Sequence, residues 1–187
     1  MIETLRDFAS KAGQLGIAYM VTGSFAMSAY GEIRHTKGID VVIELPIQYV
    51  SRFASLFEPE RYYISENSVR RAVERRSMFN VVDKQYGDKI DFIVRKDTDF
   101  AKESFSHRRR AVTGGVEFWT STKEDLIIAK LDWARDSKSE LQIRDIANLT
   151  SDEYDAEYVA DWVDRLDLDE IWAEVEKWKI QHPRSAR

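Results

Sequence analysis

Residues 15–45 read LGIAYMVTGSFAMSAYGEIRHTKGIDVVIEL. The apolar run Ile17–Val21 stops at Thr22-Gly23-Ser24, which predicts a strand followed by a turn. Ser24 suits an N-cap, so Phe25–Tyr30 is expected to form a short helix ending at Gly31. Ile39–Leu45 is a second apolar run, rich in β-branched residues, and reads as a buried strand. It contains Asp40, a carboxylate inside an apolar strand. Such a group is costly to bury unless it is paired or bound to a cation.

Working outward, the same pattern recurs once. Residues 79–94 read FNVVDKQYGDKIDFIV. Phe79–Val82 and Lys89–Val94 are expected as strands joined by the Gly87-Asp88 turn, with Asp91 flanked by Ile90 and Phe92. If the strands bearing Asp40 and Asp91 lie side by side, two carboxylates converge. Oxygen ligands of this kind suit Mg²⁺, which leaves other positions to water and phosphate. Alternatively, each Asp faces solvent on an alternating strand. Gly23-Ser24 is likewise open to two readings, a capped tight turn or a cluster of backbone N–H groups and a hydroxyl that holds phosphate.

The remaining elements frame these motifs. Helices are expected over 2–15, 46–57, 68–76 and 98–106. A short strand is expected over 62–64, and a hairpin around Gly114-Gly115 joins 111–112 to 116–119. Beyond it the pattern is helical. Thr122-Lys-Glu-Asp125 resembles a capping box with Asp in place of Glu and opens a helix to Arg135. Further helices follow around 139–148, around Tyr154, Tyr158 and Trp162, and around Ile171, Val175 and Trp178.

Composition bounds the function. The chain has 187 residues, no cysteine and a formal net charge of −5. A disulfide scaffold, a thiolate zinc site and a cysteine nucleophile are thereby excluded, and the chain suits a reducing cytoplasm. No apolar run approaches the ~18 residues of a membrane span. The N-terminal segment lacks the apolar centre of a signal peptide. Of the 28 Lys+Arg and 33 Asp+Glu, 18 and 16 fall in residues 1–118, leaving 10 and 17 beyond. All five Trp also lie beyond 118. The expected domains are therefore 1–118 and a helical section, 119–187, packed on it.

The stretch from Gly23 to Leu45 resembles the signature of the DNA polymerase β-like nucleotidyltransferase superfamily. More narrowly, Gly23, Ser24, Ala26, Tyr30, Gly31, Arg34, Thr36 and Asp40 resemble the GSxAxxxxG…RxTxDID pattern of small bacterial nucleotidyltransferase-like proteins. Relatives of abortive-infection type IV toxins are among these. Asp91 stands where that pattern has its third carboxylate. Lys130, Ser139, Gln142, Arg144 and Asp145 match polar positions in the helical section of the same proteins. The resemblance runs from about residue 15 to 150.

It implies an α+β fold: a mixed sheet with packed helices, followed by a C-terminal helical section. It implies transfer of a nucleotidyl group from an NTP to a hydroxyl of RNA, protein or a small molecule, with Mg²⁺ (or Mn²⁺) as cofactor. Asp40 and Asp91 would be the catalytic and metal-binding residues. Gly23, Ser24, Arg34, Thr36, Arg108, Arg109 and Lys130 would bind the nucleotide. Toxin activity and an antitoxin partner come with the same likeness, and no membrane partner does. The alternative is a non-catalytic nucleotide- or partner-binding module on the same fold.

One position departs from the pattern. Where the family has Asp-Ile-Asp, this chain has Gly38-Ile39-Asp40, so the first carboxylate is missing. The chain is then a natural non-catalytic member, or a variant in which Asp was replaced, or one compensated by another carboxylate. Glu44 is a weak compensator, because it would lie about 20 Å along the strand from position 38. Arg70, Arg71, Arg75 and Arg76 are read as a solvated face, and Arg108–Arg110 as the better phosphate contact. Lys130, inside the apolar segment LIIAKLDWA, either snorkels to solvent or reaches a phosphate. The five Trp are expected in the core.

Overall fold

The computed structural model describes residues 1–32, 36 and 38–183. The chain divides into two compact units, Met1–Ser121 and Thr122–Arg187. In the first unit, α1 (Ile2–Leu15) leads into β1 (Tyr19–Thr22), the one-turn helix α2 (Gly23–Ala26) and a 3₁₀ turn, Met27–Tyr30. Then come β2 (Gly38–Ile43), a second 3₁₀ turn, Ile47–Tyr49, α3 (Val50–Ala54), β3 (Tyr62–Tyr63) and α4 (Glu66–Arg75). β4 (Met78–Asp83), β5 (Asp88–Val94), α5 (Asp99–Ser106), β6 (Arg109–Thr113) and β7 (Val116–Thr120) complete it.

The seven strands form one mixed sheet in the order β3-β4-β5-β2-β1-β7-β6. β2 runs parallel to β5 and β1 parallel to β7, and the other neighbours are antiparallel. Along β2 and β5 burial alternates with the pleat. Ile39, Val41 and Ile43 on β2 and Ile90, Phe92 and Val94 on β5 are buried, which places them on one face. The aromatic core gathers there. Phe92 stacks on Phe79 at 4.9 Å between ring centres and meets Phe8 of α1 and Phe53 of α3 edge-on at 5.0 and 5.6 Å. Fully burying each such ring contributes roughly 1.5–3 kcal/mol. Central β1 has Tyr19, Met20 and Val21 all buried.

Several expected elements shift. The helix expected over 46–57 divides into the 3₁₀ turn and the short α3. α2 begins at Gly23 rather than after a Ser24 cap, and Thr22 occupies the cap position without a side-chain bond.

One buried ionic cluster anchors the sheet edge. Asp83, 0% exposed, accepts from Arg61 Nη2 at 2.8 Å, from the Gln85 backbone N–H at 3.0 Å and from the Thr4 hydroxyl at 3.1 Å. Burial pushes its carboxyl up, but these donors outweigh that and hold it below the ordinary carboxylate range. A depressed folded-state pKa contributes stability above the unfolded-state value of about 3.9, and that stability is lost as pH falls through the folded value. Asp83→Asn is therefore expected to cost about 2 kcal/mol at neutral pH. Urea midpoints should show this deficit shrinking progressively as pH falls below about 3.9, as the parent loses the same contribution. A deficit unchanged with pH would contradict the ionised state.

The second unit is helical: α6 (Lys123–Ser137), α7 (Glu140–Leu149), α8 (Ala156–Arg165) and α9 (Asp169–Gln181). Thr122 caps α6: its hydroxyl accepts from Asp125 N at 3.1 Å and donates to Asp125 Oδ2 at 2.6 Å, so the Asp side chain meets the cap hydroxyl. Tyr158 donates to Asp125 Oδ1 at 2.8 Å, tying α8 to α6. Of the five Trp, only Trp162 is buried, and Trp133 is 62% exposed. Helical spacing alone does not distinguish a core stripe from an aromatic on the solvent side. Among the described residues no helix is long and apolar enough to cross a membrane.

Candidate functional site

The strand registers bring four polar residues into one row. Thr22 on β1 pairs with Asp40 on β2, Asp40 with Asp91 on β5, and Asp91 with Asn80 on β4. Paired positions on adjacent strands share a face, so the row crosses the face opposite the Phe92 core. Asp40 and Asp91 are thus brought together as β2 and β5 neighbours, about 4.8 Å apart at the backbone. The Asp91 side chain is 20% exposed, so it is open to a ligand.

β1 ends at this row and turns directly into α2. Gly23 sits at φ +64°, and a Cβ built there would collide with Asp40 Oδ2. Only glycine lets the turn approach the carboxylate this closely. Ser24, the second residue of α2, is half-buried. Thr36 lies just ahead of β2, its hydroxyl 3.0 Å from Gly38 O, and it accepts from Gly38 N at 3.4 Å. Arg34 lies outside the described residues.

The next row holds Gly38 paired with Lys89. A Cβ at 38 would lie 3.7 Å from Asp91 Oδ2, 3.8 Å from Lys89 Cε and 3.1 Å from Lys89 O. Lys89 Nζ is 2.8 Å from Asp91 Oδ2. Sequence reasoning missed Lys89. The period-two spacing of Lys89 and Asp91 would have shown that they share a face.

The arginines diverge. Arg109 Nε donates to the Tyr30 hydroxyl at 3.0 Å, which donates to Ser121 O at 2.6 Å, so Arg109 braces the segment that follows α2. Arg108 lies over the Phe105 ring at 4.5 Å and donates to Phe105 O at 2.6 Å. Arg70 pairs with Glu66 at 2.9 Å on α4, and Glu44 is taken by Arg95. Lys130 is 3% exposed and donates to Asp145 Oδ2 at 2.9 Å and Gln142 Oε1 at 3.0 Å within the helical unit. It does not snorkel, because α7 supplies acceptors inside the unit.

The donor set can be matched to metal chemistry. Two register-paired carboxylates fit one Mg²⁺ or Mn²⁺ completed by water and phosphate oxygens. They do not fit a pair of such ions. Gly38 offers no ligand, and an ammonium already sits on Asp91. Among the described residues no group of three or more His, Asp or Glu is placed to hold a metal.

No protein-family model matches the chain, and no curated protein matches it. Solved structures do. The antibiotic-resistance factor ANT(2'')-Ia in solution aligns at TM-score 0.56 and 13% identity, covering 95% of this chain and 96% of its own. The same factor in complex with adenylyl-2''-tobramycin aligns at 0.50 and 10%, covering 94% and 96%. An antigenic nucleotidyltransferase-like protein from Paracoccidioides brasiliensis aligns at 0.55 and 15%, covering 90% of each chain. At these identities the likeness is one of fold: a nucleotidyltransferase-like mixed sheet with helices.

Proposed function

We propose that the chain binds the triphosphate of an NTP over the Thr22–Asp40–Asp91 row and transfers its nucleotidyl group to a hydroxyl of RNA, protein or a small molecule. The pairing of Asp40 with Asp91, on the face where the Gly23-Ser24 turn begins, carries the reading. The fold likeness to a factor solved with adenylyl-2''-tobramycin supports a nucleotidyl group as the unit moved. In the step, the acceptor oxygen bonds to the α-phosphorus and the bond to the bridging oxygen breaks. Pyrophosphate leaves, and the hydroxyl proton passes to the carboxylate pair. In this reading the Gly23-Ser24 backbone N–H groups and the Ser24 hydroxyl donate to the leaving phosphates. Thr36 fixes the start of β2, and Arg109 braces the turn through Tyr30. A divalent ion on Asp40 and Asp91, when bound, offsets phosphate charge. Modification of an RNA or protein acceptor would be the route to a toxin role held by an antitoxin.

Gly38 favours a second reading, a nucleotide- or partner-binding module on the same fold, because it withholds the first carboxylate of the pattern.

Isothermal titration with each NTP and Mg²⁺ tests the phosphate site. The parent is expected to bind. Gly23→Ala, which costs about 1–2 kcal/mol of backbone strain and displaces Asp40, is expected to lose at least about tenfold in affinity. Asp91→Asn, which leaves the backbone alone, should weaken binding as well. No binding by the parent, or binding indifferent to both changes, would sink the site.

A further inference from the structure

The missing carboxylate at position 38 and the lysine opposite it are one feature. Lys89 is the register partner of Gly38, and its Cε lies 3.8 Å from where a Cβ at 38 would stand. The lysine stem thus borders the space that a side chain at 38 would enter. Its ammonium reaches forward along the same face to Asp91 Oδ2 at 2.8 Å. An ammonium is a compact cation with three donors. Asp91 takes one of them, and a side chain 45% exposed leaves others turned to solvent.

The charge balance of the site makes use of this. A triphosphate brought against two carboxylates meets repulsion unless cations intervene. One divalent ion fits the carboxylate pair and a second does not. We propose that Lys89 supplies the remaining positive charge. The site takes a triphosphate with a single divalent ion and with the Lys89 ammonium bridging Asp91 and the phosphate oxygens. This rests on the triphosphate reading above and adds to it a residue and a metal stoichiometry.

The test uses the full chain, with inorganic tripolyphosphate and the four NTPs as probes. Binding is read by calorimetry in EDTA and in Mn²⁺, and bound Mn²⁺ by electron paramagnetic resonance. The parent is expected to keep measurable affinity in EDTA and to take one Mn²⁺ per chain at saturating NTP. Lys89→Met should weaken EDTA binding by at least about tenfold, the loss expected for a charged contact. Lys89→Arg, which keeps the charge, should stay within about threefold of the parent. Thermal melts check that both variants fold. Two Mn²⁺ per parent chain, no affinity in EDTA, or equal binding by Lys89→Met would overturn the role of Lys89 while leaving the triphosphate site standing. No binding of any probe under any condition would overturn both.

Discussion

Gly38→Asp is expected to raise nucleotidyl transfer by about 100-fold or more over the parent, the scale on which one charge-stabilising group at a reacting centre acts. The geometry makes the substitution admissible. Gly38 is not in the left-handed region, so a side chain there carries no backbone strain. The new Cβ meets Lys89 O at 3.1 Å, a tight contact that requires β5 to give by a few tenths of an ångström. Its carboxylate would stand beside Asp91 and Lys89, with the ammonium between two negative groups. Folding stability should therefore change little without metal, and rise with Mn²⁺ as a second ion becomes bound. The measurement incubates both forms with labelled NTPs, Mg²⁺ and total RNA. Transfer by the Gly38→Asp form, with little or none by the parent, shows a competent scaffold short of one ligand. Transfer by neither form, with NTP binding retained, assigns the chain to the binding-module reading instead.

The carboxylate pair was legible because a strand that is apolar on both sides of an Asp is a local signal. IDVVIEL and KIDFIV each display it in a few residues, and the buried face of β2 and β5 follows from the same alternation. What joins them was not legible. That Asp40 meets Asp91, and Gly38 meets Lys89, depends on the register of a parallel pair separated by two other strands in sequence. No local pattern encodes that register. The start of α2 was misplaced for a related reason. Ser24 has the chemistry of a cap, but the helix begins at Gly23, two residues before the expected Phe25, where Asp40 from another strand packs against the turn. The Trp residues failed differently. Helical spacing locates a face without saying whether anything covers it, and only Trp162 is enclosed.

Lys130 shows how far a partner in the fold changes the meaning of a charge. In sequence it is a cation among Leu126, Ile127, Ile128 and Leu131, all of them buried. In the structure it and Asp145 are 3% and 1% exposed, with Gln142 as a further acceptor. Two desolvated charges depend on each other, and removing one strands the other. Lys130→Ala is therefore expected to cost about 3–5 kcal/mol, lowering the melting temperature by about 2–4 °C per kcal/mol for a chain of this length. Replacing both by apolar groups of similar volume, Lys130→Met with Asp145→Leu, removes the desolvation penalty together with the attraction and should cost at most about 1 kcal/mol. Circular dichroism melts of the single, reciprocal and double variants measure the difference. The double variant also separates packing from ligand chemistry. If Lys130 serves only the helical unit, tripolyphosphate affinity should match the parent once the double variant is shown to be folded. A fold restored by the double change, with phosphate affinity lost, would instead make Lys130 a ligand whose ammonium leaves Asp145 on binding.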